Sequence, residues 1–410
     1  MAPILKLGMV GIGVGCAEIL RAIADMTTVE VVAGADVSPE TREKFAKRYP
    51  RARTYDSAEA LCRDPDIQAV WVATPNRFHA EHAILAATHG KHVVVEKPMA
   101  LSLQEAEAMV EAAEKNNINL LAGHTRAFTL PVRAMRRIIQ SGQCGELRAL
   151  NIWSYSDWML RPRTADELDP SQGGGVPYRQ GPHQVDTVRL LGGGLLRSVR
   201  AQVGAWLPER PIPGYYSAFL EFESGLPATI VHNGYGYFAA AELVPWGRDK
   251  SIYNSAERSE IRRRLRSGNR DEEAEKQAIR LGGTREKEYF YDDASSAWVP
   301  EDMGFAIASL DRADLRQSKH GLFIHGDEGK KDVSLISEGE GGMVQRRAEL
   351  DELYNSVFHG APLWHNGRWG MATLEVCLAI VESARTRNEV RLHRQVPMPD
   401  AYDADLKVEL

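Results

Sequence analysis

Cysteines are few in this 410-residue chain, and neither sign of charge is in large excess. The cysteines lie far apart, without the close pairs of a disulfide framework or a cysteine-rich zinc site; they are Cys16, Cys62, Cys144 and Cys377. The 50 basic and 56 acidic residues form no basic block that would favour nucleic acid. The sequence also lacks a signal-peptide core and any apolar run long enough to span a membrane. These absences predict a cytoplasmic protein without a nucleic-acid or membrane partner.

The length of the chain and a change of pattern near residue 125 predict two domains. A chain of 410 residues exceeds one small core. In residues 1–124 strands and helices alternate, which is typical of an α/β domain with a doubly wound parallel sheet. In residues 125–410 we expect an α+β domain with a large open, mostly antiparallel sheet. A charged stretch at about 247–300 is interpreted either as a disordered insertion or as a solvated helix that reaches a partner subunit.

The first predicted strand runs into a glycine-rich turn that opens a helix. Gly11 permits a tight turn, and Gly13 lets the backbone approach a pyrophosphate, which the N–H groups of the helix then face. The next positions are Val14 and Gly15, and Cys16 replaces the usual third glycine with another small residue. A second strand that ends in an acid follows the helix. This layout is typical of a dinucleotide-binding unit.

Asp36 is the acid at the end of that second strand. Its carboxylate is expected to accept hydrogen bonds from the adenosine ribose and to repel a 2′-phosphate, which predicts NAD rather than NADP as cofactor. Arg42 lies a little further on and could soften this preference, so NADP stays an alternative. Asp36 could also merely cap the next helix, although Ser38 serves that role equally well.

A run of three valines leads to Glu96, Lys97 and Pro98. Such a β-branched run predicts a strand buried on both faces, and Pro98 ends it. Lys97 is then placed at the carboxyl end of a central strand, where open α/β sheets bind their ligands. A lysine held there and partly desolvated can have a lowered pKa and exchange protons with a substrate. The alternative is a strand-end lysine that simply reaches water.

A second candidate group follows three glycines at 173–175. His183 and Asp186 are one helical turn apart and so share a face of the predicted helix. An imidazole near neutral pKa suits proton transfer, and an adjacent acid can orient it. The alternative is a histidine at a helix start that bonds only to backbone.

Together with Thr74, Pro75, Asn76 and His79, these motifs occur in an order and spacing that resemble the glucose–fructose oxidoreductase/inositol dehydrogenase (Gfo/Idh/MocA) family. The resemblance covers nearly the whole chain. It implies a Rossmann domain, a second domain with a large open sheet, and a nicotinamide cofactor. It also implies homo-oligomers, dimers or tetramers, that pack through that sheet.

The resemblance also implies roles for individual residues. Lys97 matches the lysine that contacts nicotinamide and substrate, and His183 matches the histidine cast as acid/base. Glu96 matches an acid that contacts the nicotinamide ribose. The loop that lines the cofactor is matched by Thr74, Pro75, Asn76 and His79. His79 and a second histidine have helical spacing, but no carboxylate or cysteine completes a metal site, and none is predicted.

One departure from the family concerns the substrate. Arg179 stands four residues before His183, where the family commonly has an aspartate. An arginine offers a planar fork of donors suited to a carboxylate. Further candidates for the substrate site are His124, Arg126, Arg161, Arg163, Trp158 and Asp186. The segments 177–184 and 313–318 resemble the branch of the family that acts on phthalate cis-dihydrodiols.

The sequence therefore predicts an NAD-dependent dehydrogenase for an anionic cyclic diol. It would oxidise a cis-dihydrodiol of an aromatic carboxylate to the catechol, passing hydride to nicotinamide while Lys97 and His183 take the proton. One alternative is a sugar or cyclitol dehydrogenase of the same family. Another is an NAD(H)-binding sensor or scaffold protein with a dead site, which Arg179 in place of aspartate keeps open.

Overall fold

A computed structural model of the protein describes residues 2–123, 126–247, 253–286, 298–300, 303–335, 344–404 and 406–408. The chain divides into two compact units. The first contains residues 1–124, 273–292 and 343–374, and the second contains 125–272, 293–342 and 375–410. The expected division put everything beyond 124 in one domain, whereas two later segments return to the first unit. They do so because apolar side chains such as Leu281 and Leu350 are buried in its core.

The first unit is built on six described parallel strands with helices between them. The strands are β1 (Leu5–Val10), β2 (Val29–Ala35), β3 (Arg53–Tyr55), β4 (Ala69–Val72), β5 (His92–Glu96) and β6 (Leu120–Gly123). The helices are α1 (Val14–Ala22), α2 (Pro39–Arg48), α3 (Ala58–Cys62), α4 (His79–Thr88) and α5 (Leu103–Lys115). The strand order is β3-β2-β1-β4-β5-β6, so the winding reverses between β1 and β4. That reversal is where such sheets bind ligands, and the predicted doubly wound sheet is confirmed.

Local sequence accounts for most of these elements. The three valines of β5 are fully buried, as expected of a central parallel strand. Helix α2 begins after Ser38, whose side chain accepts a hydrogen bond from the Thr41 N–H, and α5 begins with a capping box between Ser102 and Glu105. The short elements β3 and α3 were not foreseen, because β3 spans three residues and buries none of them.

The second unit contains a large sheet, as predicted. Its described strands are β7 (Leu147–Tyr155), β8 (Leu196–Gly204), β9 (Tyr215–Phe222), β10 (Pro227–Asn233), β11 (Phe305–Leu310), β12 (Ala313–Gln317), β13 (Gly321–Gly326), β14 (Gly329–Ser334) and β15 (Val390–Arg391). Their order is β14-β13-β12-β11-β7-β10-β9-β8-β15. Among the described strands the pairings are antiparallel except that between β7 and β10.

Seven further described helices complete the fold. They are α6 (Leu130–Ser141), α7 (Val176–Arg179), α8 (Gly181–Gly192), α9 (Ser255–Arg266), α10 (Glu272–Ile279), α11 (Val344–His359) and α12 (Gly367–Thr386). Helices α6 and α8 pack against the large sheet. On β7 and β9, buried side chains alternate with side chains that point away from these helices. Trp153 and Phe219 belong to the second set, and each is 48% exposed. The outward face of the sheet therefore carries large aromatic side chains in contact with water.

The charged stretch is structured where the structure describes it. Helix α9 buries Ile261 and Leu265 on one face. After α10, Ile279 and Leu281 are buried, and Leu281 joins the core of the first unit. The interpretation as a disordered insertion is therefore wrong for this part, because its few apolar residues are buried. Most other positions of α9 are exposed, and the alternative, a solvated helix that reaches a partner subunit, stays a prediction. Residues 248–252 and 287–297 of the stretch lie outside the described residues.

Candidate active site

The glycine turn between β1 and α1 forms an open cradle. Gly11 has a φ of +88°, and a Cβ there would lie 2.8 Å from the Thr74 nitrogen, so this position requires glycine. A Cβ on Gly13 or Gly15 would meet nothing within 4 Å. No side chain caps the first turn of α1, which begins at Val14. The open space and the helix N-terminus fit a pyrophosphate, so these residues suit a bound dinucleotide.

Asp36 lies beside the cradle and is held by backbone. Its Oδ2 accepts a hydrogen bond of 2.9 Å from the Ile12 N–H, and its Oδ1 accepts one of 2.9 Å from the Ser38 N–H. Arg42 donates to the Asp36 carbonyl at 2.7 Å and to the Val37 carbonyl at 3.1 Å. The carboxylate is thus fixed beside the glycine turn, and its contact with the adenosine ribose stays a prediction. The neighbouring Cys16 is buried, and burial, together with the Asp36 charge, raises the pKa of its thiol.

His79 connects the two loops that carry the other predicted cofactor residues. It is buried, with Nδ1 2.8 Å from the Pro98 carbonyl and Nε2 2.8 Å from the Thr74 carbonyl. The ring therefore links the loop of Thr74, Pro75 and Asn76 to the turn that follows Lys97. The prediction that His79 lines the cofactor is untested, but its contacts are those of a support for both loops.

Lys97 follows β5 and is half-buried, at the carboxyl edge of the parallel sheet. Glu96, the last residue of β5, forms an ion pair with Arg346 of α11, with 2.8 Å between Oε1 and Nη1. Sequence analysis did not single out Arg346, because nothing in its local sequence distinguishes it from other arginines.

His183 and Asp186 lie in the first turns of α8 in the second unit, and both are buried. Asp186 acts on Arg189 one turn further on: burial lowers the pKa of Arg189 to about 10, while Asp186 and Glu375 oppose that shift. Between them, Gln184 donates to the Val231 carbonyl at 3.1 Å and to the Met303 carbonyl at 3.0 Å. Helix α8 is thereby fixed on the sheet, which gives His183 a rigid base.

Two of the predicted substrate arginines, Arg163 and Arg179, meet at Glu167, an acid that sequence analysis missed. Arg163 and Arg179 place their Nη1 atoms 3.2 Å and 3.4 Å from the same oxygen, Oε1. The other oxygen accepts the Thr164 N–H at 2.8 Å. Burial lowers the pKa of Arg179, Glu167 raises it, and Arg163 lowers it. Glu167 therefore aligns two guanidinium groups that repel each other. The spacing of Arg163 and Glu167, four residues apart, was the available signal.

Neighbouring residues hold this group in place. The Arg163 guanidinium stacks on the buried Trp158 ring, 3.8 Å from its centroid. Arg161 pairs with Asp157 at 3.0 Å. Arg210, which was not predicted, is fully buried and donates to the carbonyls of Met159 and Arg161 and to Glu272. Trp158 and Arg161 are thus part of one network with the substrate candidates.

The remaining predicted site residues are spread over both units. His124 lies outside the described residues, and the Arg126 carbonyl accepts the Thr129 N–H at 3.2 Å within a turn. Lys97 belongs to the first unit and His183 to the second, so their action on one nicotinamide stays a prediction. In the described part of the chain, no group of three or more His, Cys, Asp or Glu side chains is arranged to hold a metal. No described helix has both the length and the apolar character to cross a membrane.

Both halves of the chain match family models. The model described as the oxidoreductase family with an NAD-binding Rossmann fold matches residues 5–124. The model of the GFO/IDH/MocA C-terminal domain matches residues 132–241. Among curated proteins, 1-carboxy-3-chloro-3,4-dihydroxycyclohexa-1,5-diene dehydrogenase of Comamonas testosteroni is 30% identical over 93% of this chain and 95% of its own. scyllo-Inositol 2-dehydrogenase (NADP(+)) of Bacillus subtilis is 25% identical over 95% of this chain and 96% of its own.

Solved structures agree with these matches. A protein of Bordetella bronchiseptica RB50 classed with the dehydrogenases superposes with a TM-score of 0.85 at 33% identity, over 95% of this chain and all of that one. Levoglucosan dehydrogenase, solved with NADH and levoglucosan, superposes with a TM-score of 0.73 at 20% identity, over 95% of this chain and 99% of that one, which shows a shared fold. The chain therefore belongs to the GFO/IDH/MocA family of oxidoreductases and is an NAD(P)-dependent dehydrogenase with an NAD-binding Rossmann domain.

Proposed function

We propose that this dehydrogenase oxidises a cis-dihydrodiol of an aromatic carboxylate to the catechol, with NAD as the hydride acceptor. The observation that carries the proposal is the side-by-side placement of Arg163 and Arg179 on one oxygen of Glu167. Two guanidinium groups held together repel each other, and an anion that binds between them relieves that repulsion. Guanidinium forks also match the planar geometry of a carboxylate. A neutral polyol could accept hydrogen bonds from these groups but would not relieve their charge repulsion.

The relative from Comamonas testosteroni supports the same substrate class. Its name describes a ring with one carboxyl group and two neighbouring hydroxyl groups, and the match covers nearly the full length of both chains. At 30% identity the two substrates need not be the same compound. What the two proteins share, on this proposal, is a carboxylated cyclic diol.

The cofactor would be held by residues at the carboxyl edge of the parallel sheet. Gly11, Gly13, Val14 and Gly15 would receive the pyrophosphate, and Asp36 would accept hydrogen bonds from the adenosine ribose. Thr74, Pro75, Asn76 and Glu96 would lie along the nicotinamide side. When bound, NAD supplies the hydride-accepting chemistry.

The protein's own part in the chemistry is proton transfer and orientation. Lys97 would accept the proton of the reacting hydroxyl group while the substrate carbon that bears this hydroxyl loses hydride. His183 would be the second residue of this proton-accepting pair. The product hydroxyketone then tautomerises to the catechol, and rearomatisation makes the overall oxidation strongly favourable. The position of Lys97 at the carboxyl edge of the parallel sheet supports this role, because ligands of such sheets bind at that edge.

Lys97→Met tests the assignment. The variant should lose turnover by several orders of magnitude while NADH still binds with a Kd within a few-fold of the wild type. Stopped-flow turnover and NADH fluorescence titration measure the two quantities separately. Retained turnover would reject Lys97 as the proton acceptor.

A sugar or cyclitol dehydrogenase is the second candidate, and the full-length match to scyllo-inositol 2-dehydrogenase favours it. A screen of NAD and NADP reduction with carboxylated dihydrodiols, unsubstituted dihydrodiols and inositols decides between the two. Rates with inositols that exceed those with carboxylated dihydrodiols would overturn the proposal. Tight NADH binding with no turnover of any substrate would instead indicate the sensor or scaffold alternative.

We also infer that two copies of the chain pack through the outward face of the large sheet. Trp153 and Phe219 on that face are half exposed, although aromatic side chains of this size usually find cover. Trp153→Glu should shift the protein from oligomer to monomer in light scattering, while Ile4→Glu, at an exposed site of the first unit, should not. An unchanged mass for Trp153→Glu would place the interface elsewhere.

A further inference from the structure

Arg346, in the first turn of α11, meets three carboxylates in the first unit. Its Nη1 lies 2.8 Å from Glu96 Oε1 and 3.2 Å from Glu349 Oε2, and its Nε lies 3.7 Å from Glu18 Oε1. The three acids come from β5, α11 and α1, so the guanidinium joins elements that are far apart in sequence. Of these four residues, only Glu96 belongs to a motif that the sequence analysis identified.

The cluster is buried, so solvent screens the interactions between its charges only weakly. Arg346 and Glu349 are buried, and the guanidinium lies 5.7 Å from the centre of the fully buried Trp71 ring. Burial alone would lower the pKa of Arg346, but the charges of Glu96, Glu349 and Glu18 outweigh it and raise that pKa. The guanidinium therefore stays cationic at every working pH.

The ion pair with Arg346 restricts the side chain of Glu96. A glutamate has three rotatable side-chain bonds and would otherwise sample several rotamers. Here one oxygen, Oε1, is held by the guanidinium, while the side chain keeps 12% of its surface exposed. Arg346 thus determines where the remaining carboxylate surface points, directly before Lys97 in the chain.

We propose that Arg346 is a positioning residue for the cofactor: it orients the Glu96 carboxylate toward the hydroxyl groups of the nicotinamide ribose. The inference rests on the assignment of Glu96 to that ribose in the proposed function. It goes beyond that assignment because it gives a role to a residue of α11, far along the chain from every predicted cofactor motif. Glu349 shares Nη1 of the guanidinium with Glu96, and the charge of Glu18 lies near its Nε.

The test compares NADH with ADP, which shares the adenosine and pyrophosphate but lacks the nicotinamide ribose. Arg346→Lys keeps the charge and loses the fork, so we expect the Kd of NADH to rise about tenfold, the effect of one misplaced charged hydrogen bond. The Kd of ADP should stay within about twofold of the wild type. Calorimetry on the full chain, without substrate, measures both.

The same measurement in a Glu96→Gln background closes a double-mutant cycle. If Arg346 acts through Glu96, Arg346→Lys should have little further effect on NADH binding once Glu96 has been replaced. Arg347→Lys is the matched control: this neighbour on α11 donates to the Ala22 carbonyl at 2.7 Å and should leave both ligands unaffected.

Two outcomes would overturn the inference. One is an equal loss of ADP and NADH binding in Arg346→Lys, which indicates general distortion of the unit. The other is an equal effect of Arg346→Lys with and without Glu96. If Arg346→Lys does not fold, Arg346→Gln combined with Glu349→Gln removes one buried cation with one buried anion, and the same NADH-specific loss is expected. Because no substrate is used, a wrong substrate assignment leaves this result unchanged.

Discussion

Replacement of Arg179 by glutamine is the sharpest test of the anionic substrate site. The change removes one of the two guanidinium groups that share Glu167 and leaves Arg163 in place. The Arg179 side chain is only 17% exposed, so water screens its interaction with a bound carboxylate weakly. A hydrogen bond to a charged group is worth about 1.5–3 kcal/mol. We therefore expect kcat/KM for a carboxylated dihydrodiol to fall roughly 10- to 150-fold.

A substrate without a carboxylate separates loss of anion binding from a general defect of the site. An unsubstituted cis-dihydrodiol has no carboxylate, so its kcat/KM should change by less than about threefold in Arg179→Gln. Initial rates of NADH formation for both diols give the ratio. Arg197→Gln is the matched control, since Arg197 forms an exposed ion pair of 3.3 Å with Glu221 in the same unit. It should leave both substrates unchanged.

An unchanged ratio of the two specificity constants in Arg179→Gln would refute the reasoning. It would mean that the guanidinium pair serves only to fold the segment around Glu167. A uniform loss for both diols would have the same meaning, because a structural defect does not distinguish a carboxylated ring from a bare one. Thermal unfolding of the variant separates that case from a local effect.

Four further predictions concern binding, reactivity and stability. Gly13→Ala should change the unfolding free energy by less than about 1 kcal/mol while raising the Kd of NADH at least tenfold in a fluorescence titration, because its Cβ enters the open cradle; unimpaired NADH binding would contradict the cradle. Gly11→Ala, at a φ of +88° and against Thr74, should instead destabilise the fold by more than about 1 kcal/mol. Burial raises the pKa of the Cys16 and Cys377 thiols, so thiolate is scarce at neutral pH and iodoacetamide should label them only after unfolding, as read by mass spectrometry; equal labelling of the native protein would refute their burial. Arg210→Met removes the guanidinium donor of the Met159 and Arg161 carbonyls and leaves Glu272 with the Arg163 N–H, so it should lower the Tm by on the order of 5–10 °C in calorimetry. A wild-type Tm would show that the network contributes little.

The glycine turn, Asp36, the valine strand and the start of α5 were all predicted from short stretches of sequence. Each depends on contacts between residues that are close in the chain, such as the capping box between Ser102 and Glu105. Backbone geometry limits these patterns to few conformations, so motif and periodicity were sufficient for them. The parallel order of the first sheet followed from the alternation of strands and helices.

The return of residues 279–286 to the first unit could not be predicted in this way. That segment lies within a very polar stretch, and only Ile279 and Leu281 are apolar enough to be buried there. Glu286 is also buried, with Arg48 3.2 Å from its carboxylate. Two apolar side chains and one buried glutamate give no periodic signal, so the composition predicted a solvent-exposed segment instead.

By itself, the sequence determined the family, the two sheets and the positions of the cofactor motifs, because local backbone preferences and short-range spacing encode them. The tertiary structure decided which charged residues work together. This chain has 50 basic and 56 acidic residues, and spacing cannot say that Arg346 meets Glu96 or that Arg163 and Arg179 converge on Glu167. Such pairs form when burial removes water and leaves each charge a single geometry in which it is compensated, and that geometry exists only once the distant elements have packed.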